Sequence, residues 1–253
     1  MASRPLALKA GELTKLAPLS VSAYFLDVDG TLLEIKPRPE DVAADEVLRA
    51  LLTELAAATC GALGLVSGRK IDDLDRIFTP PMFPAVGLHG AEIRFPDGAR
   101  LAPPAGAMEA VRLPLARFIA AHPGLRLEDK GAALAVHFRQ TPELAGEVLE
   151  FLAKLAQNNG LAMQPGKMVA ELKQAHHDKG SGIATLLANP PFAGRMPVFI
   201  GDDLTDESGF LFVNRQGGIS VRAGPAGAAT HARYLLRDPP EVRAELSRLL
   251  AGL

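Results

Sequence analysis

A short apolar run, Ala23-Tyr24-Phe25-Leu26, breaks off into Asp27-Val28-Asp29-Gly30-Thr31, and the same pattern occurs twice more along the chain. Ala62 to Val66 stops at Ser67-Gly68, and Pro197 to Ile200 stops at Gly201-Asp202-Asp203. Runs this short, apolar on both faces and cut off at polar or glycine residues, read as buried parallel strands. Between the first two, Val47, Leu48, Leu51, Leu52 and Leu55 form a helical stripe, with Pro39 and the acids after it placed at the helix start. Strand, helix, strand implies a parallel sheet with a right-handed crossover. A second helix is expected after Ser67, with Ile71, Leu74, Ile77 and Phe78 facing inward. Asp178 can cap a helix over Lys179 to Ala188, and Pro239 to Leu250 reads as an amphipathic helix. The expected fold class is α/β, with a doubly wound, Rossmann-like parallel-sheet core.

The middle of the chain has a different rhythm. A helix (Ala107 to Ala120), two strands (Leu125 to Glu128, Ala133 to Arg139), a helix (Pro142 to Gln157) and two strands (Leu161 to Gln164, Met168 to Leu172) give the order αββαββ. Leu134, Val136 and Phe138 alternate with Ala135, His137 and Arg139, which suits an antiparallel sheet covered by helices on one face. Pro165-Gly166 is the expected turn between the last two strands. The predicted organisation is a core of residues 1–104 and 173–253 carrying an inserted α+β cap of residues 105–172.

Composition excludes several classes of partner. With 253 residues, 48% of them hydrophobic, the chain can bury a large core, and Lys+Arg 27 against Asp+Glu 29 leaves a net charge of −2. Neither nucleic acid nor an anionic membrane has a bulk electrostatic basis for binding. No apolar run approaches the ~20 residues of a membrane span. Lys9, Glu12 and Lys15 interrupt the N-terminal apolar stretches, so no signal-peptide core is visible. The single cysteine, Cys60, is expected in the core of a cytoplasmic protein. Oligomeric state is not legible, and a monomer is compatible with everything above.

Ligands of doubly wound sheets bind beyond the carboxyl ends of the strands, where this chain delivers Asp27 and Asp29, Ser67, and Gly201-Asp202-Asp203. On a strand, Asp27 and Asp29 would share a face roughly 7 Å apart. Clustered carboxylates call for a cation, and Asp27, Asp29 and Asp202, helped by Asp203 or Asp206, suit Mg²⁺, which binds a few carboxylates and keeps its other positions for water and phosphate. Zinc is not supported, because the pair His176-His177 has no cysteine or suitably spaced histidine nearby. The chemistry this pattern serves is phosphoryl transfer: Asp27 as nucleophile, Asp29 as acid and then base, Gly30 allowing close approach, and Ser67 and Lys179 holding phosphate oxygens.

FLDVDGT, LVSGR, the lysine of HHDKGSGI, and GDDLTDE stand in the order that defines haloacid dehalogenase-like hydrolases. SGRK, VGLHGAEIR, RLEDKGAALAVHFR, GKMVAELK and GDDLTDES further resemble the trehalose-6-phosphate phosphatase family. That resemblance implies hydrolysis of a small-molecule sugar phosphate through an aspartyl-phosphate, with Mg²⁺ held by Asp27, Asp202 and the Asp29 backbone carbonyl, Asp203 and Asp206 orienting that shell, and the cap closing over the disaccharide. It also implies Gly30, Thr31, Arg69, His89, Gly90, Glu128, Lys130, His137, Arg139, Lys167 and Glu171 as substrate-binding candidates. Two departures are present: Ser208-Gly209 replaces an acid and alanine, and Arg222-Ala223 precedes a glycine expected sooner. Sucrose phosphate and mannosylglycerate phosphate are alternative substrates for the same chemistry, and a phosphomutase is an alternative reaction.

Overall fold

The computed structural model describes residues 4–36, 38, 41–102, 108–129, 133–166, 168–175, 177–227 and 229–252. The strands, in chain order, are β1 (Leu6–Ala7), β2 (Ser22–Asp27), β3 (Leu63–Val66), β4 (Ala85–Gly87), β5 (Glu92–Arg94), β6 (Arg100–Leu101), β7 (Arg126–Asp129), β8 (Ala133–His137), β9 (Leu161–Gly166), β10 (Val169–Gln174), β11 (Met196–Gly201), β12 (Ile219–Ala223) and β13 (Tyr234–Leu236). The α-helices are α1 (Glu12–Leu16), α2 (Glu46–Ala58), α3 (Ile71–Phe78), α4 (Glu109–Ala121), α5 (Ala145–Asn159), α6 (Lys179–Leu187), α7 (Glu207–Arg215) and α8 (Pro239–Ala251). The chain divides into two units, Met1–Leu101 with Asp178–Leu253, and Ala102–His177. The sequence-based boundaries lay three residues later at the first junction and five earlier at the second. The second difference arises because β10 continues to Gln174.

In the first unit a nine-stranded sheet has the order β1-β13-β12-β11-β2-β3-β4-β5-β6. Its centre is parallel, and only β5 and β6 run antiparallel at one edge. All six residues of β2 are buried, as the continuous apolar run requires. Successive side chains still divide between the faces. Tyr24 and Leu26 join Leu48, Leu52, Leu74, Val242 and Leu246 from α2, α3 and α8 on one side. Phe25 and Phe199 join Ile183, Leu186, Phe210 and Val213 from α6 and α7 on the other. The core is therefore the expected doubly wound α/β sheet.

Two expectations around α2 need correction. Helix α2 starts at Glu46, where the Asp45 side chain accepts from the Leu48 N–H, so the helix begins well after position 39 and Asp41 precedes it. Pro39 itself lies outside the described residues. Cys60 is exposed, not in the core. The chain leaves α2 through Cys60 and Gly61 with φ of 52° and 88°, and Thr59, fully buried with its hydroxyl on the Leu55 carbonyl, anchors the turn instead. Among the described residues, no helix is long and apolar enough to cross a membrane.

The second unit is a four-stranded antiparallel sheet, β7-β8-β10-β9. Leu134, Val136, Ala170 and Leu172 pack against Met108, Val111, Leu115, Val148 and Leu152, so α4 and α5 cover one face. Pro165 and Gly166 belong to β9 and pair with Ala170 and Val169, which corrects the expected turn. An edge strand tolerates proline because the missing N–H faces away from the ladder. The chain reverses around Met168, whose φ is 60°.

Candidate active site

Register brings the functional residues of the first unit to one edge. Asp27 pairs with Val66, so Ser67 follows at the same level, and Leu26 pairs with Ile200, so Asp27 is level with Gly201 and next to Asp202. The N-terminus of α6 arrives at the same place. Asp178 caps it by accepting from the Ser181 N–H at 2.7 Å, and Lys179 is its first residue.

Lys179 is only 3% exposed, and its ammonium lies 2.8 Å from Asp27 Oδ1 and 2.6 Å from Asp206 Oδ1. The other Asp206 oxygen accepts from the N–H groups of Asp202 and Asp203, at 2.8 and 3.0 Å. Asp206 thus ties the lysine to the loop after β11. Asp27 Oδ2 is buried and has no hydrogen-bond donor among the described residues. Asp27, Asp202 and Asp206 each offer an oxygen, all within 4.8 Å of one another.

The electrostatics follow from that crowding. Burial holds the Asp27 carboxyl well above the usual carboxylate range, Lys179 offsets this only in part, and Asp206 and Asp202 add repulsion. Burial also lifts Asp202 to about 7, reinforced by Asp206 and Asp203. For Lys179 burial disfavours the charge, yet Asp206 and Asp27 outweigh it and hold the ammonium above its ordinary range. One buried cation among the buried Asp27 and Asp206 and the half-buried Asp202 leaves negative charge uncompensated. The orphaned oxygen of Asp27 beside Asp202 therefore fits a hard divalent cation.

The remaining candidates divide by what they touch. The strand ends at Asp27, so strand periodicity does not place Asp29. Its carboxylate meets the Arg69 guanidinium at two points, with Nε to Oδ2 at 2.6 Å and Nη2 to Oδ1 at 2.7 Å. Asp203 accepts from the Thr205 N–H and hydroxyl at 2.8 and 2.7 Å. The structure thus groups Asp27, Asp202 and Asp206, whereas the carboxylates of Asp29 and Asp203 are engaged elsewhere. Ser67 is buried and its Oγ accepts from the Arg69 N–H at 3.1 Å. Thr31 is fully buried, with no partner for its hydroxyl among the described residues.

Two glycines have packing reasons. Gly30 has φ 84°, and a Cβ there would sit 2.1 Å from Asp202 Oδ2. Gly90, expected to touch substrate, would put a Cβ 2.1 Å from the Asp178 carbonyl oxygen, so it serves the approach of α6. His89 has φ 53°, and its ring lies where a Cβ on Gly68 would be, at 2.5 Å.

In the second unit, Glu128 and Glu171 both pair with Ala135 and so share a row across the polar face of the sheet. His137 Nε2 lies 2.8 Å from Glu128 Oε2. Arg139 is exposed and beyond β8, which ends at His137. Lys130 and Lys167 lie outside the described residues. Sequence reasoning gave Arg222 no role, yet its Nε donates to the Asp202 carbonyl at 3.2 Å. Its signal was positional: Arg222 pairs with Gly201 at the functional edge, which only the strand order reveals.

A model of the trehalose-phosphatase family matches residues 25–240. A trehalose-6-phosphate phosphatase of Escherichia coli (strain K12) is 41% identical over 245 residues, covering 95% of this chain and 91% of that protein. A probable trehalose-phosphate phosphatase of Sinorhizobium fredii (strain NBRC 101917 / NGR234) is 44% identical over 213 residues, 83% and 80% of the two chains. The solved structure of a trehalose-6-phosphate phosphatase related protein has a TM-score of 0.75 and 25% identity, covering 91% of this chain and 97% of that one.

Proposed function

Because the chain belongs to the trehalose-phosphatase family, we propose that it hydrolyses trehalose 6-phosphate to trehalose and phosphate. The observation that carries the mechanism is the state of Asp27. Lys179 grips one of its oxygens, and the other is buried with no donor among the described residues. Held by Lys179, Asp27 is oriented for attack on phosphorus, and its second oxygen is left for the cation.

Asp27 attacks phosphorus while the sugar oxygen departs with a proton from Asp29, giving an aspartyl-phosphate. Water then attacks phosphorus, Asp29 takes its proton, and the Asp27 carboxylate is restored. Ser67 and Lys179 hold phosphate oxygens at the N-terminus of α6, where the helix dipole adds to the lysine charge. Mg²⁺ is the proposed cation. Asp27 and Asp202 would hold it, Asp206 and Asp203 would orient its loop, and it would supply neutralisation of phosphate charge. Residues 105–172 are proposed as the substrate-selecting cap, with Glu128, His137 and Glu171 reading sugar hydroxyls. A cytoplasmic setting suits a chain with a single, exposed thiol.

Phosphate release from trehalose 6-phosphate, sucrose 6-phosphate, mannosylglycerate phosphate and glucose 6-phosphate, each with Mg²⁺, tests the reading. Trehalose 6-phosphate should give the highest kcat/KM by at least about tenfold. Preference for another ester would overturn the substrate, and a phosphorylated product in place of free phosphate would overturn hydrolysis.

A further inference from the structure

Asp29 lies past the end of β2, on the turn that Gly30 opens with φ 84°. The strand therefore does not fix its side chain. Arg69 does, because both carboxylate oxygens accept from one rigid, planar guanidinium at 2.6 and 2.7 Å. A two-point contact of this kind sets the plane of the carboxylate as well as its distance. Arg69 is in turn held by its own backbone. Its N–H donates to Ser67 Oγ at 3.1 Å, and its carbonyl accepts from the Leu88 N–H at 2.9 Å. A Cβ on Gly87 would lie 3.0 Å from that carbonyl, so the segment has little room to shift. Two residues on, the Ile71 N–H at the start of α3 is fixed by Glu92 Oε2 at 2.9 Å.

We propose that Arg69 is a positioning residue for Asp29, and that its fork aligns the proton donor with the departing sugar oxygen while its backbone keeps that alignment registered to Ser67. The proposal rests on the reading of this site as one that cleaves a sugar phosphate through Asp27 and Asp29. It differs from the sequence expectation that Arg69 binds substrate, since here the forked face of the guanidinium is committed to a carboxylate.

The two roles separate by leaving group. A sugar alkoxide needs a proton to depart, whereas p-nitrophenolate does not, so a misplaced donor slows formation of the aspartyl-phosphate only from the sugar ester. Hydrolysis of that intermediate, where Asp29 takes the proton of water, is common to both, and kcat/KM, which reports the steps through leaving-group departure, separates the two. Phosphate release by the wild-type chain, R69A and R69K is measured with Mg²⁺ on trehalose 6-phosphate and p-nitrophenyl phosphate, together with inhibition by inorganic phosphate. R69A should lose roughly 10–100-fold in kcat/KM on the sugar ester, part of what general acid catalysis supplies, and at least about tenfold more than it loses on the aryl ester. R69K, with a single-point donor, should recover part of the loss. On a D29N background, R69A should add less than about twofold, because the two residues act as one unit. Inhibition by phosphate should stay within about twofold of wild type. Equal losses on both esters, or weakened inhibition by phosphate, would overturn the proposal in favour of a structural or a phosphate-binding role. Should R69A fail to melt cooperatively, R69K and R69Q carry the same comparison. A wild-type chain inactive on both esters would instead overturn the functional reading itself.

Discussion

The two units use their polar side chains in opposite ways. In the first, Asp27, Ser67, Lys179 and Asp206 are 3, 1, 3 and 0% exposed, a cluster buried at high desolvation cost. In the second, the hydrogen-bonded side chains of Glu128 and His137 keep 40 and 33% of their surface exposed. Buried charge persists where every group has a partner or a task, so the first unit's site is preorganised and intolerant of change. The half-exposed Glu128 and His137 carry little of that constraint, whereas Glu171 in the same row is 9% exposed. Positions such as these two can vary without threatening the fold, which suits the proposed role in selecting among substrates.

The contrast is most sharply broken or upheld at Asp27. Asp27→Asn should lower kcat by at least about 10⁴-fold, the scale of removing a nucleophile, while thermal melting stays cooperative. Retention of near wild-type turnover would remove the nucleophile from the account. Next comes Lys179→Met, which leaves the buried Asp27 and Asp206 without their cation. Urea denaturation of the metal-free protein should show a loss of about 3–5 kcal/mol, the cost of breaking a buried pair, and an unchanged midpoint would mean the cluster is not desolvated. Gly30→Ala should then weaken Mg²⁺ binding by roughly 10–100-fold in calorimetry, because the added Cβ meets Asp202 Oδ2 at 2.1 Å.

A smaller effect follows from protonation. Asp202 is raised to about 7, so its contribution to stability is fully present below the unfolded pKa and is lost as pH rises through about 7. Metal-free protein should accordingly lose stability between about pH 4 and 7. Added Mg²⁺ should stabilise more at the upper end of that range, where carboxylates no longer compete for protons. Melting curves with and without the metal check this, and a metal shift that shrinks with rising pH would contradict it.

Much of the first unit was legible because burial writes itself into sequence. A strand covered on both faces reads as an unbroken apolar run, and its end is marked by whatever polar residue follows, as at Asp27, Ser67 and Asp202. Helix α6 was equally plain, since Asp178 is a strong cap followed directly by Lys179. Long-range geometry was not legible. The grip of Arg69 on Asp29 spans 40 residues, and the contact of Arg222 with Asp202 depends on strand order. The departure at Gly209 likewise has a tertiary cause, because a Cβ there would come 2.4 Å from Phe199. Local competition explains the other misses. Pro39 looked like a helix start, but Asp45 is the residue whose carboxylate caps α2. Pro165-Gly166 looked like a turn because an edge strand tolerates both residues.

The division of labour between cutting and choosing is tested most directly at Glu171, which lies on the central strand β10 and is 9% exposed. The measurement is kcat/KM of Glu171→Gln on trehalose 6-phosphate and on p-nitrophenyl phosphate, side by side with wild type. The ratio of the two should fall by at least about tenfold, the discrimination lost with a polar contact to substrate. A parallel fall on both esters would contradict the account, because it would place Glu171 in the chemistry or the fold and not in the choice of substrate.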